Sequence, residues 1–271
     1  MPEGDTVWLV ARRLDDALAG RVLQRADLRV PALATRDLRG RTVEEVRPRG
    51  KHILTRLDGG LTLHSHLRMD GMWHLYRPGA RWAGPDFQVR AHLGNADWDA
   101  VGYRLPVLEL VETAREDSVV GHLGPDLLGD AFDRAEALRR IAEDPSREVG
   151  QALLDQRLLA GIGNVYKAEV LFLRRTSPWL PVGQVDDLGA MVDLARALLQ
   201  RNKGHASQAT TGDPRPGHDH WVYGRAGRAC RRCGTTLLSA MQGAPPYDRV
   251  TSWCPACQPG PHPEPMRRRR R

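Results

Sequence analysis

Long apolar runs are absent from this 271-residue sequence, and no stretch is long enough to cross a lipid bilayer. The first twenty residues contain six charged side chains, which leaves no apolar region for a secretory signal. We therefore expect a cytoplasmic protein without a membrane partner. Cysteine is scarce, with four residues that all lie between positions 230 and 257. Because disulfides are rare in the cytoplasm, paired cysteines there indicate a bound metal.

Positive charge is concentrated at the end of the chain. The formal net charge is +7 at pH 7, and the terminal run Arg267–Arg271 supplies five of the positive charges. Without that run the net charge is only +2. Such a run is typical of a solvated end, with attraction to phosphate as a secondary role. We expect residues 259–271, which are rich in proline and arginine, to form a disordered basic tail.

The spacing of apolar residues divides the chain into segments. Residues 4–19 have helical spacing. From residue 22 to about 111, short β-prone stretches alternate with Gly, Pro and Asp, which is typical of an antiparallel sandwich or barrel. After a glycine-rich connector, residues 133–201 again have helical spacing. These segments predict an α+β protein with more than one domain.

Two CxxC pairs, Cys230/Cys233 and Cys254/Cys257, are separated by twenty residues. Thiolates at this spacing can form a tetrahedral zinc site, because each pair supplies two sulfurs from one tight turn. We predict one structural Zn²⁺, with two disulfides or an iron–sulfur cluster as the alternatives. Four sulfur ligands leave no open coordination position, so the metal would stabilise the fold only. Arg249 lies between the pairs, and its position suits a solvated arginine as well as a binding residue.

A turn with two glycines interrupts the helical segment within residues 153–172, LLDQRLLAGIGNVYKAEVLF. One helix is expected to end near Leu159, and Asn164 is expected to cap the next. The free N–H groups at that helix start, with the Gly163 amide, can bind a phosphate, and the helix dipole adds to the attraction. A helix hairpin that is packed in a core and binds no ligand is the alternative.

Four separated stretches form a common pattern. They are Met1-Pro2-Glu3-Gly4, Arg49-Gly50-Lys51, residues 153–172, and the CxxC pairs with Arg249 five residues before Cys254. In this order they resemble the formamidopyrimidine-DNA glycosylase and endonuclease VIII family, and the third stretch is more similar to endonuclease VIII. The resemblance implies an N-terminal β-sandwich with a leading helix at 1–120, a helix–two-turn–helix domain at 133–222 and a zinc hairpin at 223–258, with DNA bound between them.

The resemblance also implies a function, that of a bifunctional DNA glycosylase and abasic-site lyase of base-excision repair. Once Met1 is removed, Pro2 carries a free secondary amine, which would attack the sugar C1′. Glu3 would act as the general acid and base. The cationic iminium would then drive elimination of the 3′ phosphate, and commonly of the 5′ phosphate. We expect a monomer, associated with the nucleoid, whose partner is double-stranded DNA with damaged bases or abasic sites.

Further residues receive DNA-binding roles from the same resemblance. Lys51 would reach the catalytic site and bind the phosphate beside the lesion, while Asn164 and Arg249 would hold flanking phosphates. The loop that carries Arg68 and Met69 matches the void-filling loop of the family. Met69 would enter the base stack, and Arg68 would pair with the orphaned base. A surface lysine and a buried sheet methionine are the alternatives for Lys51 and Met69.

The sequence departs from the family pattern in several places. Asp5-Thr6 stands where many relatives have a second glutamate, and the Arg-Arg-Phe-Gly loop of the formamidopyrimidine branch is missing near residues 103–106. These differences favour oxidised pyrimidines over 8-oxoguanine. Glu169 matches a family carboxylate in a supporting role, and the ten histidines receive no role. Two other functions stay open: an abasic-site lyase with little base excision, and a non-catalytic zinc protein that recognises DNA shape.

Overall fold

The computed structural model describes residues 2–266, and the chain divides into two compact units, Met1–His122 and Leu123–Arg271. The first unit consists of a helix and two β-sheets, and the second consists of helices and a cysteine-bearing hairpin. The predicted α+β multidomain architecture is therefore confirmed. Within the described residues, no helix is both long and apolar enough to span a membrane.

The first unit begins with a long helix and continues as a set of short antiparallel strands. Its elements are α1 (Gly4–Leu18), β1 (Arg21–Val22), β2 (Arg25–Leu28), β3 (Thr42–Arg49), β4 (His52–Leu57), β5 (Leu61–His66), β6 (Met72–Tyr76), β7 (Val89–Gly94), β8 (Asp99–Tyr103), β9 (Val107–Glu112) and the one-turn helix α2 (Asp117–Val120). The predicted first helix is thus found within one residue of its expected bounds, and the strands span the region that the sequence predicted to be β-prone.

These strands form a sandwich rather than a closed barrel. One sheet has the order β1-β3-β4-β5-β9 and the other has the order β2-β7-β8-β6. Alternate residues of both sheets, with one face of α1, form a single apolar core that contains Val7, Leu14, Ile53, Leu63 and Leu93. Helix α1 is therefore part of the core and holds the start of the chain against the sheet that contains β3.

Up to Met266, where the described part of the second unit ends, it contains four α-helices and one hairpin. They are α3 (Arg134–Ala142), α4 (Val149–Leu154), α5 (Asn164–Leu173), α6 (Leu188–Asn202), β10 (Leu238–Gln242) and β11 (Arg249–Trp253). The Asp133 carboxylate accepts from the Glu136 N–H at the start of α3, and Asp187 does the same for Ala190 at α6. The predicted capping of α5 by Asn164 is wrong: Gly163 occupies the N-cap and no side chain caps the helix.

The segment that was expected to be a connector packs against the two-glycine turn. Asp126 forms a β-bridge with Ala160, and the Gly124 N–H donates to the Gln156 carbonyl over 2.8 Å. A Cβ atom on Gly124 would lie 2.6 Å from the Arg157 carbonyl oxygen, so only glycine fits there. The connector therefore holds the turn that precedes α5.

The tail is described only as far as Met266. Residues 259–266 form neither helix nor strand, yet the Ser177 hydroxyl donates to the Pro261 carbonyl over 2.5 Å and the Met266 N–H donates to the Ser239 carbonyl over 2.8 Å. The structure thus places contacts where the sequence predicted disorder. The arginine run 267–271 lies outside the described residues, and the predicted domain bounds stay predictions.

Candidate functional site

The proposed nucleophile and its neighbouring carboxylate lie directly before the first turn of α1. Pro2 is half-buried, whereas Glu3 is 0% exposed and occupies the N-cap position of α1. A negative charge at this end of a helix is favoured by the helix dipole. The sequence predicted Glu3 as a functional residue, and the structure adds that its carboxyl group is held inside the unit.

The sheet register places Lys51 at the end of the sheet toward which the N-terminal end of α1 is directed. Residues Arg49 and His52 face each other, so Gly50 and Lys51 alone form the turn between β3 and β4. The Gly20 N–H donates to Val43 at the other end of β3, so the start of α1 is directed toward the Arg49 end. Gly50 has a φ of +59°, a conformation that side chains rarely adopt, which explains the glycine before Lys51.

The loop with Arg68 and Met69 begins beside the same turn, because His66 is the register partner of His52. Met69 is 63% exposed, which excludes a buried sheet methionine. Arg68 has a φ of +46°, and its backbone N–H donates to His66 Nδ1 over 2.9 Å. The Gly71 N–H closes the loop by donating to the Leu67 carbonyl over 2.9 Å. Met69 therefore projects from a turn that is fixed at both ends.

Four histidines, to which sequence reasoning assigned no role, cluster behind this loop. His52 Nδ1 lies 2.8 Å from His64 Nε2, and the His52 ring also lies against those of His66 and His122. Burial and the neighbouring histidines lower the pKa of His52 to about 3, while burial and Lys51 lower that of His66 to about 4. The imidazoles of His52 and His66 are therefore neutral near pH 7. The hairpin register of β4 and β5 was the sequence signal that could have found this cluster.

The start of α5 lies against the hairpin of the second unit. Asn164 is buried, and its Nδ2 donates to the Val250 carbonyl over 2.9 Å. Among the described residues, its Oδ1 has no hydrogen-bond partner. Arg249 is exposed on β11 directly before Val250, and its Nη1 donates to the Asp248 carbonyl over 2.8 Å. The structure thus brings Gly163, Asn164 and Arg249 together.

Glu169 lies deeper in α5 and binds a distant loop. Its carboxylate is 0% exposed and accepts from the backbone N–H groups of Trp221, Val222 and Tyr223, over 2.7, 2.9 and 2.8 Å. The Thr210 hydroxyl donates to the same carboxylate. Glu169 therefore holds both ends of the loop between residues 210 and 223, which agrees with a supporting role.

The four cysteines converge behind the hairpin. All four sulfurs lie within 4.8 Å of one another, with Cys233 and Cys254 3.6 Å apart and Cys230 and Cys257 4.0 Å apart. A disulfide needs about 2.05 Å, so the cysteines are free thiols. Four thiolates around one Zn²⁺ at about 2.3 Å would be about 3.8 Å apart. The donor set and its spacing therefore suit the predicted metal.

A helix-led β-sandwich, a helical unit with a two-glycine turn and a four-cysteine hairpin define the architecture of a class of DNA-repair enzymes. The chain matches the model of the formamidopyrimidine-DNA glycosylase N-terminal domain over residues 1–103 and that of the formamidopyrimidine-DNA glycosylase H2TH domain over residues 123–202. The chain belongs to the formamidopyrimidine-DNA glycosylase family, as the sequence resemblance predicted.

Named relatives cover almost the whole chain. A "Probable endonuclease 8 2" of Streptomyces coelicolor is 58% identical over 268 residues, which cover 98% of this chain and 96% of that protein. The "DNA-(apurinic or apyrimidinic site) lyase Nei2" of Mycolicibacterium smegmatis is 45% identical over 95% of this chain and 99% of its own length. The predicted similarity to the endonuclease VIII branch is confirmed.

Solved structures share the fold. A Lactococcus lactis Fpg in complex with DNA that contains an abasic site superimposes with a TM-score of 0.79 at 23% identity, covering 96% of this chain and 100% of that chain. The formamidopyrimidine-branch neighbour thus has the same fold with a very different sequence.

Proposed function

We propose that this protein is a bifunctional DNA glycosylase and abasic-site lyase of base-excision repair that uses the Pro2 nitrogen as its nucleophile. The observation that supports the proposal is the position of Pro2 and buried Glu3 directly before α1, at the end of the helix that is directed toward the sheet end with Lys51 and Met69. Membership of the glycosylase family and the names of the relatives support it.

The chemistry begins at the chain terminus once Met1 is removed. An α-amine has a reference pKa of about 8, so part of it is uncharged near neutral pH and can attack the sugar C1′. The C1′–base bond breaks, and Glu3 supplies the proton for the departing base. The attacking nitrogen then loses its proton and the C1′–O4′ bond breaks, with a proton passing to O4′, so the ring-opened sugar is bound as a cationic iminium. The iminium acidifies the C2′ proton, and removal of that proton breaks the C3′–O bond to the 3′ phosphate. A second elimination at the 5′ phosphate then leaves a one-nucleoside gap.

Donors in both units would hold the DNA. Lys51 binds the phosphate beside the lesion, while Asn164, with the Gly163 amide, and Arg249 bind flanking phosphates. Asn164 uses one amide N–H for the Val250 carbonyl, which leaves its second amide N–H to donate to a phosphate. Met69 fills the space of the extruded nucleotide, and Arg68 faces the orphaned base.

We also propose oxidised pyrimidines as the preferred lesions. The connection between β8 and β9 is only three residues long, Arg104 to Pro106, which leaves no room for a second void-filling loop. The endonuclease 8 name of the relative with 58% identity points the same way. The protein would act as a monomer at the nucleoid, where its substrate lies.

Zinc is the proposed metal of the cysteine site. Cys230, Cys233, Cys254 and Cys257 would all bind it, and four thiolates leave no coordination position for substrate. When bound, Zn²⁺ supplies cross-linking of the hairpin to the rest of the unit. The chemistry of DNA cleavage therefore falls to the side chains and the chain terminus.

Borohydride trapping on duplex DNA with an abasic site tests the nucleophile. We expect a covalent adduct that mass spectrometry maps to Pro2 in a chain without Met1. An N-terminal extension that converts the Pro2 nitrogen into an amide should abolish the adduct while every side chain is retained, and Pro2→Gly is a second control. An adduct on another side chain, or one that persists with the extension, would contradict the proposal.

One specific observation favours a second candidate, an abasic-site lyase with little base excision: the relative with 45% identity is named a lyase. Duplexes with thymine glycol, 8-oxoguanine or a plain abasic site separate the two functions. We expect thymine glycol to be excised and cleaved. Cleavage of the abasic duplex alone would leave the lyase as the function.

A further inference from the structure

A lysine is completely buried in the second turn of α5. Lys167 is 0% exposed, although an ammonium group is costly to bury unless hydrogen bonds replace its hydration. Its Nζ donates to Thr251 Oγ1 over 2.6 Å and to Gln242 Oε1 over 3.3 Å. Both acceptors belong to the β10–β11 hairpin, so the lysine joins a helix to the two strands of the hairpin.

The Gln242 side chain is held by hydrogen bonds at both its oxygen and its nitrogen. Its Oε1 also accepts from the Thr251 hydroxyl over 3.1 Å, while its Nε2 donates to Glu148 Oε2 over 2.9 Å and to the Pro178 carbonyl over 2.8 Å. A Cβ atom on Gly150 would lie 2.5 Å from Gln242 Oε1, so the glycine gives this side chain its space. The lysine therefore lies in a closely packed polar network.

The residues of this network lie next to the backbone of Arg249. Gln242 is the register partner of Arg249 on the neighbouring strand, and Thr251 lies two residues further along β11. Asn164, one turn before Lys167 on the same face of α5, binds the carbonyl of Val250 between them. Helix α5 thus binds the hairpin at Gln242, opposite Arg249, and at Val250 and Thr251, which follow Arg249 along β11.

We propose that Lys167 is a positioning residue for DNA binding, which fixes Arg249 beside the start of α5 so that both meet one stretch of the phosphate backbone. The inference rests on the proposed function, in which Arg249 and the start of α5 bind phosphates. Lys167 is buried within the hairpin network and does not itself reach a phosphate. Any effect of its loss on DNA binding would therefore pass through the hairpin.

Dissociation constants for a duplex with a tetrahydrofuran abasic analogue test the proposal. We expect Arg249→Ala to weaken binding about 10- to 100-fold, the range of a charge-assisted hydrogen bond. Lys167→Met, which keeps the volume but removes the ammonium group, should weaken binding about tenfold. The double variant should match Arg249→Ala within about twofold, because both changes remove the same phosphate contact.

The salt dependence of DNA binding distinguishes the two roles of Lys167, because loss of a lysine that only stabilises the fold would leave the slope of log K against log salt unchanged. Each lost phosphate contact lowers the slope of log K against log salt by about 0.9. Lys167→Met should show the same decrease as Arg249→Ala. Thr251→Val, which removes one acceptor of the lysine, should shift both quantities in the same direction and covers the case in which Lys167→Met fails to fold.

Met191→Ala is the matched control, because it truncates a buried side chain of α6. It should lower stability without changing the salt slope. Effects of Lys167→Met and Arg249→Ala that simply add, with an unchanged slope for Lys167→Met, would overturn the positioning role alone. An Arg249→Ala variant with full affinity would overturn the phosphate role assigned to Arg249 under the proposed function, and the positioning role with it.

Discussion

Glu3 is buried next to Pro2, the proposed nucleophile, so the role of its carboxyl group can be tested without removing Pro2. We expect Glu3→Gln to slow base excision at least about 100-fold, because the departing base loses its proton donor. Trapping on a preformed abasic site should be retained, since no base departs there. Single-turnover excision and borohydride trapping measure the two steps. Glu44→Gln, an exposed carboxylate change on β3, should affect neither, and equal loss of both steps would contradict a proton-donor role.

The histidine cluster makes stability depend on pH. In the folded protein the pKa of His52 is about 3 and that of His66 is about 4, both below the ordinary value of 6.5. Between pH 4 and pH 6.5 these two histidines therefore bind more protons in the unfolded chain than in the folded protein. Stability is therefore retained above pH 6.5 and falls as the pH decreases toward 4. At pH 5 each of these histidines should lower the free energy of unfolding by about 2 kcal/mol relative to pH 7.5.

Calorimetry across that pH range measures the effect. His52→Phe, which keeps a ring but cannot titrate, should reduce the loss of stability between pH 7.5 and pH 5 by about 2 kcal/mol. Exposed His205→Gln should leave the pH dependence unchanged. The same pH dependence in His52→Phe as in the unaltered protein would show that His52 is protonated in the folded state.

Among the elements, α5 connects most of the second unit, and Glu169 is its link to the loop of residues 210–223. Glu169→Gln replaces an acceptor oxygen by a donor that faces backbone N–H groups. We expect a loss of about 2–4 kcal/mol in the free energy of unfolding, measured with urea. Glu143→Gln, which alters an exposed carboxylate at the end of α3, should cost less than about 0.5 kcal/mol. A loss below about 0.5 kcal/mol for Glu169→Gln would contradict the conclusion that Glu169 stabilises the loop of residues 210–223.

On the scale of the whole molecule, the two units have separate apolar cores. The first unit has a core of sandwich and α1 residues, while Phe172, Val222 and Leu237 pack with Cys230 and Cys254 in the second. If the cysteines bind the proposed zinc, its removal by a chelator should therefore lower the unfolding temperature of the second unit only. We expect two calorimetric transitions, of which one shifts and regains its position when zinc is added back. A shift of both, or of neither, would contradict a structural metal confined to the second unit.

Sequence reasoning was most successful where a feature is local. The strands of the first unit were expected from β-prone stretches divided by Gly, Pro and Asp, and α1 from helical spacing. Sequence reasoning was least successful where the hydrogen-bond partner of a side chain lies far away in the sequence. Asn164 was expected to cap α5, but its amide binds Val250, 86 residues away, because the hairpin packs against that end of the helix.

The sequence by itself determined the element types, the four cysteines that come together and the residues of the family pattern, because these depend on the spacing of residues along one segment. Only the tertiary structure decided the partners of Lys167, Glu169 and His52. Lys167 and Thr251 are 84 residues apart, and Glu169 and Thr210 are 41 apart. Such pairs form only when separate elements pack together, and their hydrogen bonds are the condition for burying those polar groups.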